Sequence, residues 1–305
     1  MNLTIVIPSR NRAAKLSAGL AALEKQSVTD FRVIVVDDGS DAKHQEQYKS
    51  LVAASKLNIQ LIHQQNKGIA GATNTGIAAA EKGLIILMDD DIIPFETHIE
   101  QHLSRHREYP GAVFCGTAET APQANSGKLN AYKIYMEESW SRNAFGNRTG
   151  LIRLSPECFT VSAANMSFAS ETYEQLGAFD ETLRDCQDFE FGLRALQKNI
   201  PLYFDRHIRA IHNDEFTLSY FARRQRSYQL HSVKVLERYP EYKSNFNIQP
   251  PPKALLKRFV YGLLSRKGVV HFIEHSTLFQ LLPKAFRYRV YGSTLAALSF
   301  APDAA

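Results

Sequence analysis

Apolar and polar positions come in alternating blocks through the first two hundred residues. Leu3 to Ile7 is a short apolar-rich run, Leu16, Leu20 and Leu23 follow at i, i+4 and i+7, and Phe31 to Val36 is apolar again. The first and last blocks predict buried strands, and the middle one predicts the inward face of a helix. The unit then repeats. A polar helix over 43–55 leads into Ile59-Gln60-Leu61-Ile62, a Gly-studded stretch from Asn66 to Gly76 enters an Ala-rich helix, and Leu84 to Met88 gives five apolar residues in a row. Strands alternating with helices over short connections predict an α/β fold, a mostly parallel central sheet flanked by helices.

Two of these strands end in acid, at Asp37-Asp38-Gly39-Ser40 and at Asp89-Asp90-Asp91. In a parallel sheet those ends share one edge, so carboxylates distant in sequence converge on one crevice. Three adjacent carboxylates repel one another and are costly to bury, so a divalent cation would compensate them; an acidic strand-to-loop turn is the plainer reading of the triplet. A dinucleotide oxidoreductase would carry a Gly-x-Gly-x-x-Gly turn after the first strand, and Pro8-Ser9-Arg10-Asn11-Arg12 has no glycine there.

Four stretches resemble, in order and spacing, the nucleotide-sugar half of family-2 glycosyltransferases with the GT-A fold: Val6 to Arg12, Val35 to Ser40, Asn66-Lys67-Gly68 with Asn74, and Leu87 to Asp91. Asn165 to Phe168, Gly177 to Glu181 and Asp188 to Arg194 resemble the acceptor half of the same family. The resemblance covers residues 1–215, with the halves meeting near residue 115, and leaves 216–305 as a basic helical extension. It implies inverting, metal-dependent transfer of a sugar from a nucleotide diphosphate sugar, a UDP-sugar by preference, to a hydroxyl of a glycan, lipid-linked or other acceptor. On this reading Pro8, Arg10, Asp38, Asn66, Gly68, Asn74, Asp89 and Asp90 contact the donor. Mg or Mn falls to Asp91 with Asp89 and His212, the general base is Asp188, and Asn165, Glu190 and Trp140 meet the sugar or acceptor. Two positions depart from the family pattern: Thr73 stands where many relatives carry Arg, and Gln187 where a Glu is usual.

The residues themselves supply part of the chemistry. Asp38 suits an imide N–H, which uracil and thymine present and which guanine also offers as a ring N–H. Asp188 opens a helix whose apolar face is Phe189, Leu193 and Leu196. Its carboxylate then lies at the positive helix end, which favours ionisation near neutral pH; a first-turn acid that only stabilises the helix is the alternative. Glu190 and Arg194, at i and i+4, read by default as a surface pair. His212 ends a strand-like run and is either a solvated residue or a ligand. Asn165 is either a turn residue or part of the sugar pocket. Trp140, near Tyr132, Tyr135 and Met136, either packs or stacks on a sugar. The segment 115–158 is the least patterned of the chain.

Charge adds a second region. The net +5 divides into +10 over 216–305, from 14 Lys/Arg and 4 Asp/Glu, and −5 over 1–215. Within 216–305, Pro250-Pro251-Pro252 predicts a stiff spacer, and a basic amphipathic helix follows, with Leu255, Leu256, Phe259, Val260, Leu263 and Leu264 apolar and Lys253, Lys257 and Arg258 to the side. Two readings stand for it: docking on an anionic membrane surface where a lipid-linked acceptor is found, or packing against the catalytic domain. Nucleic acid is not expected as a partner. Three widely spaced cysteines without a CxxC pair point away from disulfides and zinc. With no leader-like or spanning segment, they predict a cytoplasmic protein, with peripheral placement at the inner face of the cell membrane open. Two rival functions remain: a sugar-phosphate nucleotidyltransferase, which would want a Gly-rich triphosphate loop near the first strand, and a non-catalytic binding protein acting through its basic tail.

Overall fold

The computed structural model describes residues 2–120, 128–214, 216–246 and 254–300; the spacer expected at Pro250, Pro251 and Pro252 lies outside them. In chain order the elements are β1 (Asn2–Ser9), α1 (Ala13–Leu23), β2 (Arg32–Asp38), α2 (Ala42–Ala54), β3 (Asn58–Gln64), α3 (Gly68–Ala79), β4 (Gly83–Met88), β5 (Ile92–Pro94), α4 (His98–Glu108) and β6 (Val113–Thr120). There follow α5 (Lys128–Phe145), β7 (Leu151–Arg153), β8 (Asn165–Ala169), α6 (Ser170–Leu176), α7 (Gln187–Gln197) and β9 (Leu202–His212). Helices complete the chain: α8 (Leu218–Arg238), a 3-10 turn at Pro240–Asn245, α9 (Leu255–Leu264), α10 (Lys267–His275), α11 (Thr277–Leu281) and α12 (Lys284–Phe300).

By its internal contacts the chain divides into two compact units. Unit 1 comprises 1–121 and 144–214, and unit 2 comprises 122–143 and 215–305. The described part of the segment 122–143, residues 128–143, grouped by sequence with the acceptor half, falls in the same unit as the carboxyl-terminal helices. The α/β architecture is as expected, with one nine-stranded sheet in the order β3-β2-β1-β4-β8-β6-β9-β5 and β7 paired to β9. Its first four strands are parallel. The second part is mixed: β8 runs antiparallel to β4 and β6, β6 is parallel to β9, and β5 and β7 are antiparallel to β9.

The continuous apolar runs arise because both sheet faces are covered. Leu3, Ile5 and Ile7 of β1 pack with Leu16, Leu20 and Leu23 of α1 and with Leu84, Ile86 and Met88. The alternate positions Val6, Ile85 and Leu87 face Ala70, Ile77, Phe168 and Phe191. The Ala- and Gly-rich composition of α3 lets it lie close to the sheet, since a methyl group on Gly76 would stand 2.3 Å from Val6 Cγ1. In unit 2, Thr217 caps α8 by accepting from the Tyr220 N–H at 3.1 Å. Its core joins Tyr132 of α5 to Leu218, Ala222, Ile273, Phe279, Tyr291 and Leu295.

Candidate active site

Parallel pairing sets Ser9 opposite Asp37 and Val6 opposite Leu87, so β1, β2 and β4 deliver their carboxyl ends to one edge. The loops there are latched to one another. Asn11, in left-handed backbone (φ 54), donates its N–H to Ser40 Oγ at 2.8 Å and accepts from the Asp41 N–H at 2.9 Å. Asp37 accepts from the Ser40 N–H at 3.0 Å and faces His63 Nδ1 at 2.8 Å. Gly39 between them has φ +75, and a methyl group on it would press on Asn66 N at 2.8 Å, so the turn requires glycine. Asp38 draws the next loop in, accepting from Gln64 Nε2 at 2.7 Å and from the N–H groups of Lys67 at 2.7 Å and Gly68 at 2.9 Å.

The result is a cleft of about 280 Å³ whose lining includes Pro8, Arg10, Asp38, Asn66, Gly68, Asp89 and Asp90, together with Ser9 and Arg12. Seven of the eight expected donor positions thus converge. Asn74 does not join them: its amide donates to Phe179 O and Glu181 Oε1, each at 2.9 Å, and accepts from Tyr173 Oη and the Phe179 N–H. It clamps the loop after α6 onto α3. A larger cleft of about 460 Å³, lined by Ile93, Pro94, Phe95, Glu96, Thr97 and Ile211, lacks such converging polar groups.

The acid triplet is tied down by residues that sequence reasoning did not assign to it. A hydrogen-bond chain runs from the Arg12 N–H to Tyr48 Oη, from Tyr48 to Ser9 Oγ, and from Ser9 to Asp90 Oδ2 at 2.6 Å. The Arg12 guanidinium pairs with Asp90 at 2.9 Å and also with Asp91. Burial pushes Asp90 up to about 6, against the opposing pull of Arg12 and Ser9. Burial works the same way on Asp91, but His212 and Arg12 overcome it and hold that carboxyl well below the usual range. His212 Nε2 lies 3.3 Å from Asp91 Oδ1, and the Asn213 N–H donates to Asp91 O at 2.8 Å, so β9 and the end of β4 are stitched together here. The signal for Arg12 was its place in the loop after β1; for Tyr48 there was none beyond a helix position.

Asp188 reaches the same edge from the other side of the sheet order. Its Oδ1 accepts from the Phe189 N–H at 2.8 Å and its Oδ2 from the Ala163 N–H at 3.3 Å, while the Asp89 N–H points to Ala164 O at 3.4 Å. Consecutive residues 163 and 164 therefore hold the two acids beside each other. Desolvation raises Asp188 to about 6, and the Asp89 charge adds to the rise. The backbone N–H groups at the helix end favour the carboxylate, but loss of water outweighs them and moves the group upward, to a value still below neutral pH.

Two further expectations change. Glu190 is buried, and its pair with Arg194 at 2.6 Å is an internal strut, with Arg194 also donating to Leu176 O and Ala178 O. Asn165 opens β8 and is 1% exposed, so it neither turns the chain nor lines the cleft. Its amide donates to Thr117 O and Ile208 O, and its oxygen faces His98 Nε2 at 2.9 Å and His102 Nε2 at 3.0 Å. Trp140 stands on α5 in unit 2 with its ring about half exposed.

Asp91 and His212, with Asp89 next along the strand end, are the side chains here that could hold a hard cation. Asp90 Oδ1 and Asp91 Oδ1 are buried and face Arg12 Nη1 at 2.9 Å and His212 Nε2 at 3.3 Å, so a cation bound there would share these oxygens with Arg12 and His212. Among the described residues no group of three His, Cys, Asp or Glu side chains encloses a metal by itself. Such an open arrangement suits Mg or Mn, which are commonly held by one or two carboxylates plus substrate phosphates.

Comparison with known proteins decides the family. The model of glycosyl transferase family 2 matches residues 4–177. The chain belongs to glycosyl transferase family 2. It is 26% identical to chondroitin synthase of Escherichia coli over 219 residues, covering 63% of this chain and 32% of that protein. It is 25% identical to pre-mycofactocin glycosyltransferase of Mycobacterium tuberculosis over 244 residues, 79% of this chain and 48% of the relative. With validoxylamine A glucosyltransferase of Streptomyces hygroscopicus it shares 32% over 227 residues, 67% and 53% of the two chains. The chain thus spans about a third to a half of these relatives. Among solved structures, a Pyrobaculum calidifontis mannosyltransferase in complex with GDP-Man and Mn2+ shares the fold with TM-score 0.59 at 15% identity, covering 99% of this chain and 76% of that one.

Within this family-2 chain the matched span contains the whole acid edge but stops before Asp188, Glu190 and His212. Thr73, where the family pattern favours Arg, is buried and turns its hydroxyl onto Ile69 O at 2.8 Å. Gln187 opens α7 immediately before Asp188. No helix among the described residues is long and apolar enough to cross a membrane.

Proposed function

We propose that the chain is an inverting glycosyltransferase that moves a sugar from a nucleotide diphosphate sugar to a hydroxyl of a glycan or lipid-linked acceptor, with unit 1 as its catalytic part. The observation that carries this reading is the meeting of Asp188 with the acid edge at residues 163 and 164. It sets a proton acceptor beside the pole expected to receive the leaving group. In a single displacement the acceptor oxygen bonds to the anomeric carbon as the bond to the diphosphate breaks, and the hydroxyl proton passes to the Asp188 carboxylate. A group near 6 suits that task, being ionised at neutral pH yet basic enough to take the proton.

Mg or Mn held by Asp91, with Asp89 and His212, would neutralise the charge that grows on the departing diphosphate. Arg12, about two-fifths exposed beside the same carboxylates, is placed to shift toward phosphate oxygens. Asp38 Oδ1 accepts two hydrogen bonds and Oδ2 one, so Oδ2 keeps a lone pair for a base N–H. Uracil supplies one, and a Staphylococcus aureus TarS structure with the same fold, at TM-score 0.54, is a complex with UDP. The GDP-Man complex of the archaeal mannosyltransferase keeps guanine in the comparison. The chondroitin synthases among the relatives support a glycan acceptor.

The test is release of nucleoside diphosphate from a panel of UDP- and GDP-sugars with Mn, Mg or chelator. Metal-dependent release from one donor class, lost in Asp188→Asn once an acceptor is supplied, is the expected result. Release indifferent to chelator would overturn the metal assignment, and near-normal transfer by the Asp188 variant would overturn the base.

A further inference from the structure

We infer that unit 2 docks onto an anionic lipid bilayer through the outward face of α9. The inference goes beyond the transfer chemistry and does not depend on it. α9 is a ten-residue amphipathic helix with no buried residue. Leu255, Leu256 and Phe259 are 80%, 76% and 73% exposed, and Val260 and Leu263 are 40% and 44% exposed. At about 100° per residue these five side chains fall within an arc of about 140°. Leu264 lies outside that arc and packs on the core of unit 2, so the face that meets the protein is the narrow one. An amphipathic helix in a folded protein ordinarily turns its apolar stripe inward, and this one turns it out.

Charge complementarity selects the occupant. Lys257 and Arg258 are exposed and stand about 60° beyond the two edges of the stripe. Lys257 lies past Leu264 with its Nζ 5.5 Å from the Tyr261 ring centre. Arg258 is directly beside the stripe, where a long side chain places its charge at headgroup level while its stem follows the apolar surface. Over 254–300 there are seven Lys/Arg and a single acid, Glu274. That acid is committed inside the unit, accepting from the Leu218 N–H at 2.7 Å. A second copy of the same face would bring like charges together, whereas anionic headgroups neutralise them. At about 15 Å, α9 is too short to span a bilayer and suited to lying in its interface. Leu278 and Leu281 of the α11 segment, 70% and 78% exposed, add apolar surface to the same unit.

The experiment is flotation of the full chain with vesicles of phosphatidylcholine alone and with about a third phosphatidylglycerol. Wild type should bind the anionic vesicles and lose binding as salt rises. Lys257→Glu with Arg258→Glu, and separately Leu256→Asp with Phe259→Asp, should each weaken binding by roughly tenfold or more. Melting temperature and donor hydrolysis should stay at the wild-type value in both, which separates this result from any failure of the active-site reading. Partition that ignores lipid charge overturns the inference. So does a concentration-dependent dimer that the Leu256 and Phe259 variant dissolves, since the face would then belong to a second copy. A melting temperature lowered by that variant also overturns it, because the face would be packed against protein.

Discussion

Unit 1 keeps Asp37, Asp38, Asp90 and Asp91 at 5% exposure or less, whereas unit 2 holds Leu255, Leu256 and Phe259 almost wholly in the open. Each region departs from the ordinary distribution of polar and apolar groups, in opposite directions. In unit 1 the cost of burying charge is met inside the chain, by Ser40 and His63 for Asp37, by the 67–68 backbone for Asp38, and by Ser9, Arg12 and His212 for Asp90 and Asp91. There the compensation comes from charged partners: Asp90 Oδ1 faces Arg12 Nη1 at 2.9 Å and Asp91 Oδ1 faces His212 Nε2 at 3.3 Å, so the acids are matched by small positive groups. In unit 2 the described residues leave the α9 stripe uncovered, and the deficit is the size of a surface. The kind of departure matches the kind of partner proposed for each: small and charged for one unit, broad and apolar with an anionic rim for the other.

The contrast is tested most severely by placing the same charge in both regions. Leu20→Asp, at a core position 4% exposed, should destabilise the chain by about 4 kcal/mol or more, because an unpaired carboxylate enters a packed face. Leu256→Asp should change stability by about 0.5 kcal/mol or less, as surface substitutions do. Thermal melts of the two variants decide it; equal losses would mean that α9 is covered in solution.

Next in size is the base. Asp188→Asn preserves shape and removes the proton acceptor, so turnover should fall by about a hundredfold, equivalent to about 2.7 kcal/mol of transition-state stabilisation, with donor KM nearly unchanged. A parallel rise in KM would instead assign Asp188 to donor binding. Smaller again is Asp91→Asn, which removes one hard ligand while Arg12 keeps its pair with Asp90. Titration calorimetry should show nucleoside diphosphate affinity in the presence of Mn falling by roughly tenfold, or about 1.4 kcal/mol, with the fold retained. Unchanged affinity would move the metal away from Asp91.

The parallel half of the sheet was legible because its strands are buried on both faces and read as unbroken apolar runs ending in acid. The mixed half was not. In β8, Asn165 and Ser167 interrupt the apolar pattern, yet both are buried, because α4 presents His98, His102 and His106 to them instead of aliphatic side chains. A polar strand face matched by a polar helix face has no hydrophobic period for either partner, so neither α4 nor the buried place of Asn165 can be read from the sequence. β6 was hidden by Gly116, where a methyl group would meet Asn165 Nδ2 and Ile208 O at 2.4 Å. The upward shift of Asp188 is not legible for another reason: a helix end can be read from sequence, but loss of water around a side chain depends on contacts from residues as distant as Ala163.

That histidine face gives the smallest and most specific prediction. His98 and His106 are held at about 4, below the ordinary 6.5, because burial penalises the imidazolium; the Asn165 oxygen pulls His98 the other way. The unfolded chain takes up protons on these rings as pH falls through about 6.5, while the folded protein resists until about 4. Their contribution is thus neutral above that window, and stability is lost progressively as pH falls across it, on the order of a few kcal/mol in total. His106→Gln keeps a hydrogen-bonding partner for Ser167 Oγ, which His106 Nε2 now faces at 2.8 Å, and removes one titrating ring. Urea denaturation at pH 7.5 and pH 4.5 should show a smaller stability difference for the variant than for wild type, by about 1 kcal/mol or more. Identical pH dependence in the two proteins would mean that His106 does not resist protonation in the fold and takes no part in the acid limb.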